Sequence, residues 1–324
     1  MRKPLIVGAL LCCFPPIIAS QNTTDAVEHG PHPAEVMPLA SQSLLLAAVE
    51  NPDRAVVVGE RGHILLSEDR ENWRQASQVP VNITLNDLDF YGRNGWAVGH
   101  DATILHTSDG GENWQIQHYE VNPEDPNPLL DVLLLDARNG IAIGAYGMAM
   151  RTSDGGANWE RVELIPDLDW HLNSISRIDE TTLFIAAEAG NGYISTDLGE
   201  TWEELMLPYG GSMFGAVGVD NGILTFGLRG NAFFSDDAGQ TWERVEIEGV
   251  DSVFAGHALN DGRVVLAGAN GVVWYRDGFS RPFQRFQQGG GNDLTGIIRL
   301  RGRTLDVISE QGIERITLPR ADGG

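Results

Sequence analysis

The chain has almost no cysteine and almost no lysine. Cys12 and Cys13 are its two cysteines, and Lys3 is the only lysine among 324 residues. Positive charge is scarce as well: 22 Lys+Arg face 45 Asp+Glu, a formal charge of −23. So acidic a balance excludes nucleic acid and anionic lipid as general partners, because both require a basic surface. Past the N-terminus, no stretch approaches the roughly 18 consecutive apolar residues of a membrane-spanning helix. Glycine, by contrast, is abundant. Its 39 residues are about 12% of the chain against a usual level of roughly 7%, and they point to many tight turns. A hydrophobic share of 42% is enough for a large core and excludes wholesale disorder.

Arg2 and Lys3 precede an apolar run over residues 5–18, which leads into Ala19-Ser20. That order of charge, apolar run and small residues is the order of a secretory signal peptide. Interrupted by Pro15 and Pro16, and only about 14 residues long, the run is too short for a comfortable span. We therefore expect residues 1–20 to be a cleaved signal and the mature protein to be periplasmic or otherwise extracytoplasmic. Cleavage leaves 20 arginines against 45 acidic residues, a charge of −25, and removes every cysteine and lysine. Disulfides, thiolate catalysis, lysine Schiff bases and cysteine-type zinc sites are then excluded. Residues 21–33 read as a flexible leader. His29 and His32 in it have usable ligand spacing, but no metal site and no cofactor is assigned.

Internal repetition settles the architecture. Thr107-Ser108-Asp109-Gly110-Gly111-Glu112-Asn113-Trp114 recurs as Thr152-Ser153-Asp154-Gly155-Gly156-Ala157-Asn158-Trp159. Looser copies place Asp197 before Trp202 and Asp237 before Trp242, and an eroded first copy places Asp69 before Trp73. These tryptophans are 41, 45, 43 and 40 residues apart. A Gly-x-x-Gly pattern precedes most copies, as Gly59/Gly62, Gly144/Gly147 and Gly227/Gly230, and continues as Gly268/Gly271 and Ser309/Gly312. Asp277-Gly278 is the remnant of a sixth box, and the count of units is seven.

Each unit reads as four short strands with period-two alternation, as in Ile141-Ala142-Ile143 and Met148-Ala149-Met150. Four strands every 41 residues or so is the signature of a β-propeller blade. The expectation is an all-β, seven-bladed propeller over residues 34–318, followed by a tail at 319–324. The last unit has only three strands near the C-terminus. Residues 34–39 are expected to supply its fourth strand and close the ring, since an open ring would leave strand edges free to pair.

The repeated box has a mechanical explanation. It joins the third and fourth strands; its Ser/Thr and Asp side chains bond nearby backbone N–H groups, and glycine takes the positive-φ position. Its tryptophan buries a large ring against neighbouring structure, with the indole N–H expected on a turn carbonyl. Asp69, Asp109, Asp154, Asp197 and Asp237, with Trp73, Trp114, Trp159, Trp202 and Trp242, are thus read as staples of the fold.

These repeats resemble the Asp-box (BNR) repeats of sialidases and of many non-enzymatic propellers. With the preceding Gly-x-x-Gly, the pattern is most similar to the photosystem II stability/assembly factor family, and the likeness runs over residues 34–318. The resemblance implies a non-enzymatic scaffold that helps a membrane protein complex assemble, with an inner-membrane protein as partner. In a non-photosynthetic bacterium that client would be another membrane protein, such as an exporter of the resistance–nodulation–division type. The family's arginine patch has no dense counterpart in this sequence. The rival reading, a sialidase-like glycoside hydrolase or glycan-binding propeller, requires an arginine triad and a Tyr–Glu nucleophile pair. The mature chain lacks the Arg-Ile-Pro element that goes with them, and sialidase propellers have six blades rather than seven. No catalytic residue is assigned.

Connectivity says where a partner would sit. Turns between third and fourth strands lie on one face of a propeller, and turns between second and third strands share the other with the blade-to-blade links. That second face is expected to present Glu60, Arg61, His63, His100, Asp101, Tyr146, Glu188, Arg229 and Asn231. The links add Trp170, His171, Tyr209 and the acidic stretch 121–128. Aromatic and arginine side chains supply most interface hot spots, so these are the candidate partner-binding residues. His257 is expected near the central channel.

Overall fold

Short alternating segments separated by glycine turns can satisfy their backbone groups only by pairing with one another. A computed structural model describes residues 31–121, 127–287 and 290–319. The expected signal peptide and most of the leader and tail lie outside those residues. Within them the strands form seven antiparallel sheets, each built from strands in chain order. The innermost strands are Leu45–Glu50, Leu85–Tyr91, Leu129–Leu134, Leu172–Arg177, Met213–Val219, Val253–Ala258 and Leu294–Arg301. Each packs against the innermost strand of the next blade, and Leu294–Arg301 packs against Leu45–Glu50. The protein is a seven-bladed β-propeller, as the repeats predict.

Burial across a blade explains its composition. The second strands Ala55–Gly59, Gly140–Gly144, Leu183–Ala187 and Val264–Gly268 are buried at every position. A neighbouring blade covers each of their faces, so they read as continuous apolar runs rather than alternating ones. The outermost strands are short and polar, down to Arg74–Gln75, Glu160–Arg161 and Glu243–Arg244. The core therefore lies between blades: Val56, Val58, Ile64 and Leu66 of blade one meet Leu85, Leu88, Leu105 and Trp114 of blade two.

Ring closure differs from the expectation. Residues 34–39 form no strand, and blade seven has three strands. The segment instead crosses blade one, where Ala34 N donates to Val79 O at 3.0 Å and Met37 N to Gln75 Oε1 at 2.6 Å. Pro33 precedes it and Pro38 lies within it, and proline cannot donate to a ladder. Side chains close the ring in its place. The buried carboxylate of Asp306 accepts from Arg299 at 3.2 Å and from Arg315 at 2.6 Å, and Arg315 reaches Glu71 of blade one at 3.5 Å. Thr295 Oγ1 donates to Leu45 O at 2.6 Å, and Ile298, Ile308 and Ile313 pack with Leu45, Val57 and Trp73. Two guanidiniums on one buried carboxylate offset its desolvation.

Candidate functional site

The two ends of each blade use their polar side chains differently, and the box end is closed on itself. In blade two, Asp109 Oδ1 accepts from the backbone N–H of Glu112 (2.9 Å) and Asn113 (3.0 Å), and from Thr107 Oγ1 (2.8 Å). Its Oδ2 accepts from Asn113 Nδ2 at 2.8 Å, and Gly111 N donates to Thr107 Oγ1 at 3.2 Å. The same pattern holds Asp69, Asp154, Asp197 and Asp237. These bonds favour the charged form: hydrogen bonds from Thr201 and Thr241 hold Asp197 and Asp237 down to about 2. Carboxylates committed to their own turns have little left for a ligand.

The tryptophans of the boxes depart from the expectation in one respect. Trp114 Nε1 donates to the turn carbonyl of Gly111 at 2.8 Å, but Trp159 Nε1 reaches Gln117 Oε1 of the previous blade, and the buried Nε1 atoms of Trp202 and Trp242 have no partner among the described residues. The ring, rather than the N–H, is what these positions require. Blade six replaces the box altogether. Arg276 stands where Ser or Thr is found elsewhere and Phe283 where Trp is found, with the guanidinium stacked 4.5 Å from Phe279 and 4.7 Å from Phe283. A cation between two rings does the work of the hydrogen-bonded turn.

The Gly-x-x-Gly end is open. An added Cβ on the first glycine of blade three, Gly144, would lie 2.2 Å from Pro128 O; on the last, Gly147, it would lie 2.3 Å from Leu168 O. The turn is thus pressed between its own inner strand and the link to the next blade. Gly147 N donates to Trp170 O at 2.9 Å, which puts turns and links on one face as connectivity requires. This tight fit forces the residue before the last glycine into the left-handed region, with its side chain directed away from the backbone. Arg61, Tyr146, Ala189, Arg229 and Asn270 all take this position at φ between 53° and 57°, and Asp101 takes it in blade two at 54°. Left-handed backbone costs a non-glycine residue on the order of 1 kcal/mol.

Most of the predicted face residues are brought together on this face, and two are not. Arg61, His100, Tyr146, Trp170 and Arg229 are exposed, and Glu60, Asp101, His171 and Tyr209 are half-buried. His63 is buried, and neither ring nitrogen has a partner among the described residues; burial lowers its pKa. Asn231 is also buried, donating to Leu228 O at 2.8 Å and accepting from Arg244 at 3.1 Å. Each follows a turn glycine and enters the third strand, where the pleat turns its side chain inward. Both are corrected to structural residues. Tyr146, His171 and Glu188 form one cluster: the Tyr146 and His171 rings meet edge-on at 4.7 Å, and His171 Nδ1 lies 3.5 Å from Glu188 Oε1.

The central channel holds residues that the sequence reading passed over. Its wall encloses about 330 Å³ and divides into two arcs. Leu46, Ala47, Phe214 and Phe254 make blades one, five and six apolar. On blades two to four, Asp87 accepts from Val132 N (3.1 Å), Asp89 from Leu134 N (2.8 Å) and Asp131 from Ile175 N (2.9 Å). An inner strand is a sheet edge with unpaired N–H groups, and these carboxylates satisfy the edge of the next blade. Burial pushes Asp89 up to about 6. Asp87 is raised well above the ordinary value by burial and by the neighbouring Asp131 carboxyl. Polar residues at 86, 87 and 89, inside an otherwise apolar strand, were the available signal. His257 lies half-buried on the innermost strand of blade six, its pKa lowered by burial. Among the described residues no group of three His, Cys, Asp or Glu side chains is placed to hold a metal, and no helix is long and apolar enough to cross a membrane.

The repeat geometry has a counterpart among known proteins. Residues 65–244, more than half of the chain, match the family described as Photosynthesis system II assembly factor YCF48. The chain belongs to that family. Among individual members, Photosystem II assembly protein Ycf48 from Synechococcus sp. (strain JA-3-3Ab) is 39% identical over 82 residues, covering 24% of this chain and 20% of the relative. Photosystem II stability/assembly factor HCF136 of Arabidopsis thaliana is 32% identical over 71 residues, 20% of this chain and 18% of the relative. The aligned stretches thus span about a fifth of these relatives. Two solved structures share the fold across nearly the whole propeller. A YCF48 bound to a D1 peptide superposes with a TM-score of 0.71 at 18% identity, covering 88% of this chain and 96% of the other. YCF48 from Cyanidioschyzon merolae does so with a TM-score of 0.69 at 18% identity, covering 89% and 99%.

Proposed function

We propose that this YCF48-family propeller is an exported, non-enzymatic scaffold that holds an extended segment of an inner-membrane protein on its Gly-x-x-Gly face and so assists assembly of that protein's complex. The observation that carries the reading is the contrast between the two ends of each blade. Box side chains are consumed by their own turns, whereas the turn at the other end holds Arg61, Tyr146 and Arg229 outward in a left-handed conformation that is the same whatever side chain it carries. A propeller of the same fold with a D1 peptide bound gives precedent for peptide capture by this architecture. The residues 1–20 have the order of an export signal, which would place the propeller in the periplasm or an equivalent space. In a host without photosystems the client is a different membrane complex, for which an exporter is the first candidate.

The test is crosslinking in cells followed by purification from membranes and identification of the attached protein. The triple variant Arg61→Ala/Tyr146→Ala/Arg229→Ala should lose the crosslink to a specific membrane protein while keeping its melting temperature. Undiminished crosslinking in that variant would remove this face as the interface. Recovery of no membrane protein, together with tight binding of glycans, would replace the scaffold reading itself.

A further inference from the structure

The charges on the Gly-x-x-Gly face are unevenly spread. Arg61 and Arg229 project from blades one and five. On blades three and four the corresponding turns, and the link over residues 163–171, contain no arginine or lysine. They carry exposed Asp167 and Asp169 and half-buried Glu188. The same turns and link carry two large aromatics in water, Tyr146 at 50% exposure and Trp170 at 46%.

Their placement is fixed rather than incidental. Tyr146 is held in the left-handed region at φ 53°, and its ring rests on the edge of His171. Gly147 N donates to Trp170 O, Glu188 N donates to His171 O at 3.2 Å, and His171 N donates back to a Glu188 carboxylate oxygen at 3.3 Å. The turn of blade three, the link, and the turn of blade four are thus joined into one shelf that carries two aromatics and three carboxylates.

We propose that the Tyr146–Trp170 shelf receives a cationic side chain, arginine or lysine, of the extended client segment. The proposal rests on the reading of this face as the client-binding one and adds a polarity to it. A guanidinium or ammonium within about 6 Å of a Trp or Tyr ring centroid is attracted to the ring's negative face. Asp167, Asp169 and Glu188 raise the local concentration of such a cation and repel an acidic segment.

The experiment titrates the purified mature chain with three labelled nine-residue peptides, Gly-Leu-X-Leu-X-Leu-X-Leu-Gly, in which X is Arg, Gln or Glu. Fluorescence anisotropy should show the arginine peptide bound about tenfold tighter than the glutamate peptide, with Tyr146→Ala and Trp170→Ala each weakening it about fivefold. Both variants keep the net charge, so their effect separates the shelf from general attraction to an acidic chain, and unchanged melting curves show that they fold. Arginine binding that is indifferent to both variants overturns the proposal. Preferential binding of the glutamate peptide, lost in Arg61→Ala/Arg229→Ala, overturns the shelf but leaves the face as the binding surface. Failure of all three peptides to bind, with client crosslinks mapping to the outer blade edges, overturns the shelf and the face together.

Discussion

At the Asp-box end of a blade the polar side chains fold back onto their own backbone; at the Gly-x-x-Gly end they point away from it. Both hairpins recur around the ring under the same backbone constraint, yet only the first leaves its side chains without freedom. Thr107, Asp109 and Asn113 saturate one another and the turn. At the opposite end, glycine and a backbone carbonyl do that work, and the residue between is released. Repetition thus marks what the fold needs, and variation at one position of the repeat marks what it does not: Arg61, Asp101, Tyr146, Ala189, Arg229 and Asn270 share a conformation and no chemistry.

The contrast can be broken most forcefully at the glycines. Gly147→Ala puts a Cβ against Leu168 O in a left-handed conformation and should cost about 3 kcal/mol, measured by denaturant unfolding. Next in size is Asp109→Ala, which orphans backbone donors in its turn. It should cost about 2 kcal/mol in the same assay, and Asp109→Asn should recover part of the loss. A cost near zero for Asp109→Ala would mean that the box is not a staple.

pH separates the box ends from the channel. An unfolded aspartate titrates near about 3.9. Asp197 and Asp237, held at about 2, contribute stability that is complete above the unfolded value and lost as pH falls through about 2. Asp89, raised to about 6, does the opposite: its contribution is complete below the unfolded value and lost as pH rises through about 6. The melting temperature should therefore peak at roughly pH 4 and fall as pH rises from about 4 to about 6. Asp89→Asn should raise it by several degrees at pH 8 and leave the acid limb unchanged. A melting temperature that stays flat from about pH 4 to 7 would show that Asp89 does not titrate in this way.

The smallest effect on stability is expected at the open end. Arg61→Ala, Tyr146→Ala and Arg229→Ala should each move unfolding by less than about 0.5 kcal/mol, as surface substitutions do, while the triple variant loses its client. A large stability loss in any of them would erase the distinction between the two ends.

Much of this was legible before the structure. The spacing of the tryptophans and glycines is itself the blade repeat, and the Ser/Thr-x-Asp pattern states its own hydrogen bonds, because both are local and a local rule repeats in the chain as it repeats in space. His63 and Asn231 were misplaced because one step along a strand reverses the direction of a side chain, and a motif does not say where its turn ends. The role of Asp87, Asp89 and Asp131 was hidden because each serves the edge of the next blade, some 45 residues away.

By itself, then, the sequence determined a seven-fold repeat, an acidic chain whose lysine and cysteines sit only near its start, and a set of turns with fixed chemistry. Only the tertiary structure decided how the ring closes. A strand for blade seven was available in order but not in chemistry, since Pro33 and Pro38 deny it a ladder, and the seam is held instead by Thr295 on Leu45 O, Arg315 reaching Glu71 and Arg299 reaching Glu50. It also decided which of the loop residues share a surface. That depends on the packing of turn against link, where distances between blades, rather than positions along the chain, set the outcome.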